Sequence, residues 1–176
     1  TNTNNASFFG TGSATYRVAA QKTVYFSDNF EPGQAWNSSG FWHVTARRSS
    51  SPTHSLWYGN ESSGTYQTGS SRNFGDAISS QIDLKGAGRP TLTFNSYWNT
   101  ESGTTWDRKQ VFVSAAGGAW TQVLQVSANP RIWTQQTVDL TSYAGSVINI
   151  RFAFDTVDGI LNSMEGWFVD DVQVSE

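Results

Sequence analysis

The sequence predicts an all-β protein, an antiparallel sandwich of two sheets, and three observations carry that expectation. Short β-branched and aromatic runs recur between Gly, Asn, Ser and Asp clusters, and no segment repeats its apolar residues at a helical period. Two runs, 91–98 and 147–154, alternate residue by residue. The chain also carries 8 Trp, 11 Phe and 6 Tyr, enough ring volume to fill the space between two layers.

In chain order, strands are expected at 23–30, 40–46, 54–59, 64–68, 77–83, 91–98, 108–115, 120–127, 133–139, 147–154 and 166–174. Within 91–98, Leu92, Phe94 and Trp98 share one face, and Thr93, Asn95 and Tyr97 share the other. Within 147–154, Ile148, Ile150, Phe152 and Phe154 should face the core, with Asn149, Arg151 and Ala153 outward. Gly117-Gly118 marks a hairpin turn, while Pro130 and Tyr143-Ala144-Gly145 punctuate later connections. The last strand breaks alternation, because Trp167 and Val169 have one parity and Val172 and Val174 the other. A bulge at Asp170–Asp171 would turn all four inward and redirect a carboxylate.

The 176 residues suit one domain with a real core. Residues 1–22 are rich in Asn, Thr, Ser and Gly and read as an N-terminal arm or linker, with 23–176 as the sandwich domain. As an arm, they would self-associate by adding a strand to a neighbouring copy's sheet edge. The net charge is −3 and no Lys/Arg run occurs, which argues against nucleic acid as a partner. No apolar stretch has the length of a membrane span, and an export signal is expected to have been removed already. The absence of cysteine removes disulfides, thiolate zinc sites and thiol nucleophiles together.

Two adjacent carboxylates inside an apolar strand demand neutralisation, since unpaired buried charge costs several kcal/mol, roughly, even after relaxation. A hard cation shared with the acidic segment Asp28-Asn29-Phe30-Glu31 would supply it, because calcium accepts carboxylate and carbonyl oxygens in irregular geometry. The calcium reading favours an extracellular location, secreted or at the cell surface, where that ion is abundant.

Phe26-Ser27-Asp28-Asn29-Phe30-Glu31-Pro32-Gly33, Phe41-Trp42-His43, Ser51-Pro52-Thr53-His54-Ser55 and Tyr58-Gly59-Asn60-Glu61 form the first half of a recognisable pattern. Trp106-Asp107, Phe154-Asp155-Thr156-Val157-Asp158-Gly159 and Glu165-Gly166-Trp167-Phe168-Val169-Asp170-Asp171-Val172 form the second. Together they resemble the MAM-like, choice-of-anchor-J jelly rolls of secreted bacterial proteins, modules that accompany immune-inhibitor-A-type metallopeptidases and subtilisin-like proteases. The resemblance spans roughly residues 23–175. It implies a two-sheet jelly roll, a structural calcium ion tying the first and last strands, and no catalytic role. Carried onto this chain, it implies Glu31 and Asp170 as metal ligands, Asp28 and Asp171 as additional ones, and the His54 region through its backbone carbonyl.

Other chemistries are open to the same residues. Glu31, Asp170 and Asp171 could serve as the acid pair of a glycosidase, or the aspartates could simply end a strand in solvent. Asp155, Asp158, Asn162 and Glu165 could hold a second calcium ion or form a polar turn around Gly159, and Asn60-Glu61 with Asp107 raises the same question. Neither HExxH nor Gly-x-Ser-x-Gly occurs, so no catalytic residue is assigned and the chain is expected not to be an enzyme. A glycan could rest on a surface of Tyr97, Trp106, Asp107, Arg108, Arg151 and Asp155, if their strands are neighbours. The expected function is a non-catalytic binding or adhesion accessory module with a glycan or cell-surface protein as partner. The alternatives are a carbohydrate-binding module proper and a subunit assembling through residues 1–22.

Overall fold

The computed structural model describes residues 22–31 and 36–176. Twelve strands follow one another among these residues: β1 (Val24–Asp28), β2 (Asn37–Ser38), β3 (Trp42–Thr45), β4 (Ser55–Tyr58), β5 (Phe74–Ile78), β6 (Ile82–Asp83), β7 (Thr91–Asn99), β8 (Arg108–Ala115), β9 (Thr121–Val126), β10 (Thr134–Asp139), β11 (Val147–Asp155) and β12 (Gly166–Ser175). A single 3₁₀ turn at Thr141–Tyr143 precedes β11. All strand pairs are antiparallel.

The two sheets share one plan. In the first, the order is β10-β7-β12-β4-β3, with β1 also on β12; in the second it is β2-β5-β11-β8-β9, with β6 also on β11. Each central strand therefore has one long neighbour and, on its other edge, two short strands end to end. On β12 the pairing runs Trp167↔Tyr58 to Val169↔Leu56 with β4, then Asp28↔Val172 to Val24↔Ser175 with β1.

The inner faces follow the expected parity. Leu92, Phe94 and Trp98 of β7 and Ile148, Ile150, Phe152 and Phe154 of β11 are all buried in one core. Phe152 joins the layers: its ring centroid lies 5.1 Å from Phe94, 5.8 Å from Trp167 and 5.5 Å from Trp36. Edge-to-face rings at such distances add to what their burial alone contributes. Trp42, Trp98 and Trp167 all lie in this core, none more than 4% exposed.

The expected bulge is present. Asp170 pairs with Asn95 and Gln173 with Thr93, so β12 carries one residue more than β7 across that interval. Asp171 takes it up at φ 50°, and Trp167, Val169, Val172 and Val174 all enter the core.

Three strand expectations need correction. The run 64–68 makes only an isolated bridge, Asn60↔Thr65. The run 77–83 is two strands, β5 and β6, both on β11, because Ser79 leaves the ladder: its Oγ accepts the Ile150 amide and its own amide donates to the Ile150 carbonyl. The two-residue β2 was not anticipated, being too short and polar to carry a period. The arm expected over 1–22 lies, apart from Lys22, outside the described residues.

Gly166 opens β12 at φ 104°, and a Cβ there would sit 2.1 Å from the Tyr58 carbonyl oxygen. Gly166→Ala is therefore expected to destabilise the fold by about 3 kcal/mol or more, combining backbone strain with overpacking. Chemical denaturation measures this, and an unchanged midpoint would refute the assigned geometry.

Candidate functional site

The bulge lies where β12 changes partner on one edge from β4 to β1. Three segments meet in that gap: the chain leaving β1, the 46–54 connection entering β4, and the Asp170–Asp171 pair. Asp170 is buried, and its Oδ2 accepts the Ser50 and Ser51 amides at 2.7 and 2.9 Å. Its Oδ1 accepts the Asp171 amide at 2.7 Å and the Ser51 hydroxyl at 3.2 Å. Burial holds its carboxyl above the ordinary aspartate range, and these amides oppose that shift only in part.

Glu31 grips the other end of the same loop. Its Oε1 accepts the Thr53 and His54 amides, each at 2.9 Å, and its Oε2 accepts the Thr53 hydroxyl and faces His54 Nδ1 at 3.1 Å. The Thr53 hydroxyl first, and the His54 ring next, hold the Glu31 carboxyl down from its ordinary 4.5 to about 2. Carboxylates from the chain just past β1 and from β12 thus clamp residues 50–54 from two sides.

The remaining metal candidates have separate partners. Asp28 accepts the Phe30 amide and the Trp36 indole N–H, both at 2.8 Å. Asp171 accepts the Asn95 amide at 2.9 Å, and Asn95 also reaches Ser50. His54 turns its ring and its amide toward Glu31. Among the described residues, no three His, Cys, Asp or Glu side chains are grouped to hold an ion by themselves. A cation at the junction would need hydroxyl and carbonyl oxygens as well, which calcium accepts.

The six-residue glycan surface does not assemble. β7 and β11 belong to different sheets, so Tyr97 and Arg151 face opposite outsides of the sandwich. Tyr97 packs with Trp57 and Phe168 in a second apolar cluster, under the Arg48 guanidinium 3.9 Å from its ring. Arg48 is in turn fixed by a two-toothed bond to Glu165 at 2.9 and 3.1 Å, and Arg47 lies over Trp57. Asp107 is fully buried rather than displayed. Trp106 is 40% exposed. Parity assigns faces within a strand, but it does not say which strands are neighbours.

Arg108, Arg151 and Asp155 do share a face, the outside of the second sheet, joined by residues that sequence reasoning missed. Register places Asp76, Ala153, Gln110 and Gln125 in one row across four strands. The next row holds Ile78, Arg151, Phe112 and Gln122. Arg151 lies 4.3 Å from the Phe112 ring and 4.8 Å from the Trp120 ring, and its Nη1 is 3.4 Å from Asp76. Its buried Nε has no hydrogen-bond partner among the described residues. On the far side Arg72 holds Asp155 at 2.7 and 2.8 Å. The small Ala153 lies between Arg151 and Asp155 on the central strand of that face. Alternation in 108–115 could have revealed Gln110 and Phe112; nothing local announced Trp120.

A cavity of about 430 Å³ lies between residues 40–43 and 59–62 at the edge of the first sheet. There Glu61 accepts the Thr45 hydroxyl and faces His43 Nε2 at 3.2 Å and Arg47. The Thr45 contact, followed by His43, holds its carboxyl low.

No family model matches the chain. A 120-residue stretch is 29% identical to Bacillopeptidase F of Bacillus subtilis (strain 168), covering 68% of this chain and 8% of that protein. The chain thus spans a small part of that relative's length. Among solved structures, the K1 cleaved adhesin domain of Lys-gingipain from Porphyromonas gingivalis W83 superposes with a TM-score of 0.54 at 16% identity, covering 88% of this chain and 97% of that one. TmCBM61, solved with beta-1,4-galactotriose, gives 0.53 at 15%, covering 83% and 89%. At these identities the likeness is one of fold, and the fold is a jelly-roll sandwich.

Proposed function

We propose that this chain is a non-catalytic, calcium-stabilised binding module of an extracellular bacterial protein, of the MAM-like, choice-of-anchor-J kind, that attaches its parent polypeptide to a glycan. The observation that carries the reading is the commitment of Glu31 and Asp170. A glycosidase needs one carboxyl poised to protonate and another free to attack or activate water. Here both oxygens of each carboxylate accept hydrogen bonds from the 50–54 loop or the bulge. The Glu31 carboxyl is also driven away from the range of a general acid. These groups hold the fold.

For calcium, the support is the chemistry of the junction: carboxylates, the Ser51 and Thr53 hydroxyls and loop carbonyls form an oxygen-rich set where two chain ends meet. A bound ion would offset carboxylate repulsion and stabilise the folded state by mass action. For a glycan, the support is the outer face of the second sheet. Beside Arg151, Trp120 and Phe112 supply aromatic surface, and Asp76 and the Gln110–Gln122 pair, bonded to each other at 2.7 Å, supply polar groups for hydroxyls. Asp155 and Asp76 are each already paired with a guanidinium, which suits a neutral sugar better than a polyanion. Fold relatives include a module solved with beta-1,4-galactotriose and an adhesin domain, and the sequence relative is a peptidase by name.

Three outcomes are expected. Excess EGTA added to protein verified to hold calcium lowers the melting temperature by several degrees; an unchanged melt would count against the ion. Asp170→Asn, which turns an N–H donor toward backbone amides, costs about 1.5–3 kcal/mol in chemical denaturation, and a smaller loss would remove the clamp's importance. On an array of plant, algal and bacterial polysaccharides the wild type binds, and Ala153→Trp or Arg151→Ala weakens that binding at least about tenfold. Binding indifferent to both substitutions would eliminate that face as the site, and no binding at all would eliminate the glycan.

A further inference from the structure

The cavity of about 430 Å³ where β3 begins belongs neither to the junction nor to the outer face of the second sheet. β3 is the last strand on its side of the first sheet, so no further strand closes the cavity off. Its size lies toward the lower end of small-molecule sites, which run from roughly 300 to 1,000 Å³. Two stretches of chain line it, 40–43 and 59–62, tied together where the Gly59 amide donates to the Phe41 carbonyl at 3.4 Å. Each stretch brings a glycine packed so closely that a Cβ would collide. At Gly40 it would lie 2.5 Å from the Phe74 carbonyl oxygen, and at Gly59 2.1 Å from the Trp57 ring. Both positions therefore contribute bare main chain to the lining.

The polar side chains of the lining are already held in place. His43 Nδ1 donates to the Phe41 carbonyl at 2.8 Å, and the imidazole packs 5.3 Å from the Trp57 ring. Glu61 accepts the Thr45 hydroxyl and faces His43 Nε2 at 3.2 Å through one oxygen, with Arg47 3.6 Å from the other. Arg47 is fixed in turn by the Glu61 main-chain carbonyl at 2.9 Å and by the Trp57 ring at 5.0 Å. Asn60 Oδ1 accepts the Ser62 amide at 2.9 Å and the Ser62 hydroxyl at 2.6 Å, which sets the turn that carries Glu61. Groups ordered before a ligand arrives lose little freedom when it binds.

What these groups leave open defines the ligand. Charge is matched within the cluster, Glu61 against Arg47, so neither an anion nor a cation meets an unpaired partner there. Glu61 Oε2 keeps acceptor capacity, and its side chain is 52% exposed. Asn60 Nδ2 is a donor with no partner among the described residues. A hydroxyl is donor and acceptor at once and satisfies either group, and two neighbouring hydroxyls satisfy both. Phe41, half-buried with its ring 5.7 Å from Tyr58, adds apolar surface beside them. An uncharged molecule with adjacent hydroxyls and an apolar face meets all three demands, and a pyranose ring has both.

We propose that this cavity binds a single neutral pyranose unit, with Glu61 and Asn60 on its hydroxyls and Phe41 against its C–H face. The site is separate from the polysaccharide surface proposed above and does not rest on it, since no residue is shared between them.

The test titrates the intact, isotope-labelled chain with the methyl glycosides of galactose, glucose, mannose and xylose, followed by NMR. At least one is expected to bind with a Kd of about 1 mM or tighter, with amide shifts concentrated at 40–43 and 59–62. Glu61→Gln, which replaces one acceptor oxygen by a donor, and Ser62→Trp, which fills the cavity from an exposed position, each weaken that binding at least about tenfold. No glycoside bound more tightly than about 10 mM, shifts lying elsewhere, or unchanged affinity in both variants would overturn the site. Shift mapping on the wild type decides even if a variant fails to fold. Tighter binding of the methyl glycoside than of its free sugar assigns the site to chain ends, and the reverse to soluble sugar; either upholds the pocket. Failure here leaves the polysaccharide array result untouched, because that result reads the other sheet.

Discussion

β12 exchanges β4 for β1 along one edge, and wherever a strand changes neighbours some backbone groups face a gap instead of a ladder. The chain fills this gap with a bulge and a buried carboxylate. Asp170 gathers the amides of Ser50, Ser51 and Asp171, while Glu31 gathers those of Thr53 and His54. Donors without strand partners are thereby satisfied, and the cost of burying charge is offset by the same bonds. Because the bulge also restores inward parity, Trp167, Val169, Val172 and Val174 all depend on the residue that clamps the loop. Core, connection and chain ends are thus one problem with one solution.

That solution divides the two outer faces. Outside the first sheet, the loop held by Asp170 and Glu31 carries Arg47 and Arg48 over Trp57 and Tyr97, which covers the face with guanidinium groups. Outside the second sheet, side chains of Asp76, Gln110, Phe112 and Arg151 stand in rows only partly buried. One face is covered in closing the fold, and the other keeps its side chains partly exposed. The division follows from the covering loop, since both sheets have the same layout.

Charge is handled alike at two buried carboxylates, Asp170 and Asp107. At the junction, backbone amides surround Asp170. Around Asp107, the Tyr66 phenol, the Glu101 amide and the nearby buried Lys109 ammonium do part of that work, and one carboxylate oxygen has no donor among the described residues. Low dielectric strengthens whichever partner is present and penalises whichever is missing.

The sequence by itself determined the strands whose residues alternate, the β8–β9 hairpin at Gly117-Gly118, and the bulge at Asp170–Asp171. Each of these is local: period, turn chemistry and parity are properties of consecutive residues. It also marked the adjacent Asp170 and Asp171 as carboxylates in need of partners, because charge inside an apolar strand is costly wherever that strand folds. Tertiary structure alone decided who those partners are. Ser50, Ser51 and Thr53 are unremarkable serines and a threonine until β12 switches neighbours beside them. Only the sheet order separates Tyr97 from Arg151, and only cross-strand register brings Ala153 between Asp76 and Gln110. Facing is written in alternation along one strand, whereas adjacency depends on long-range pairing, for which a single chain offers no local signal.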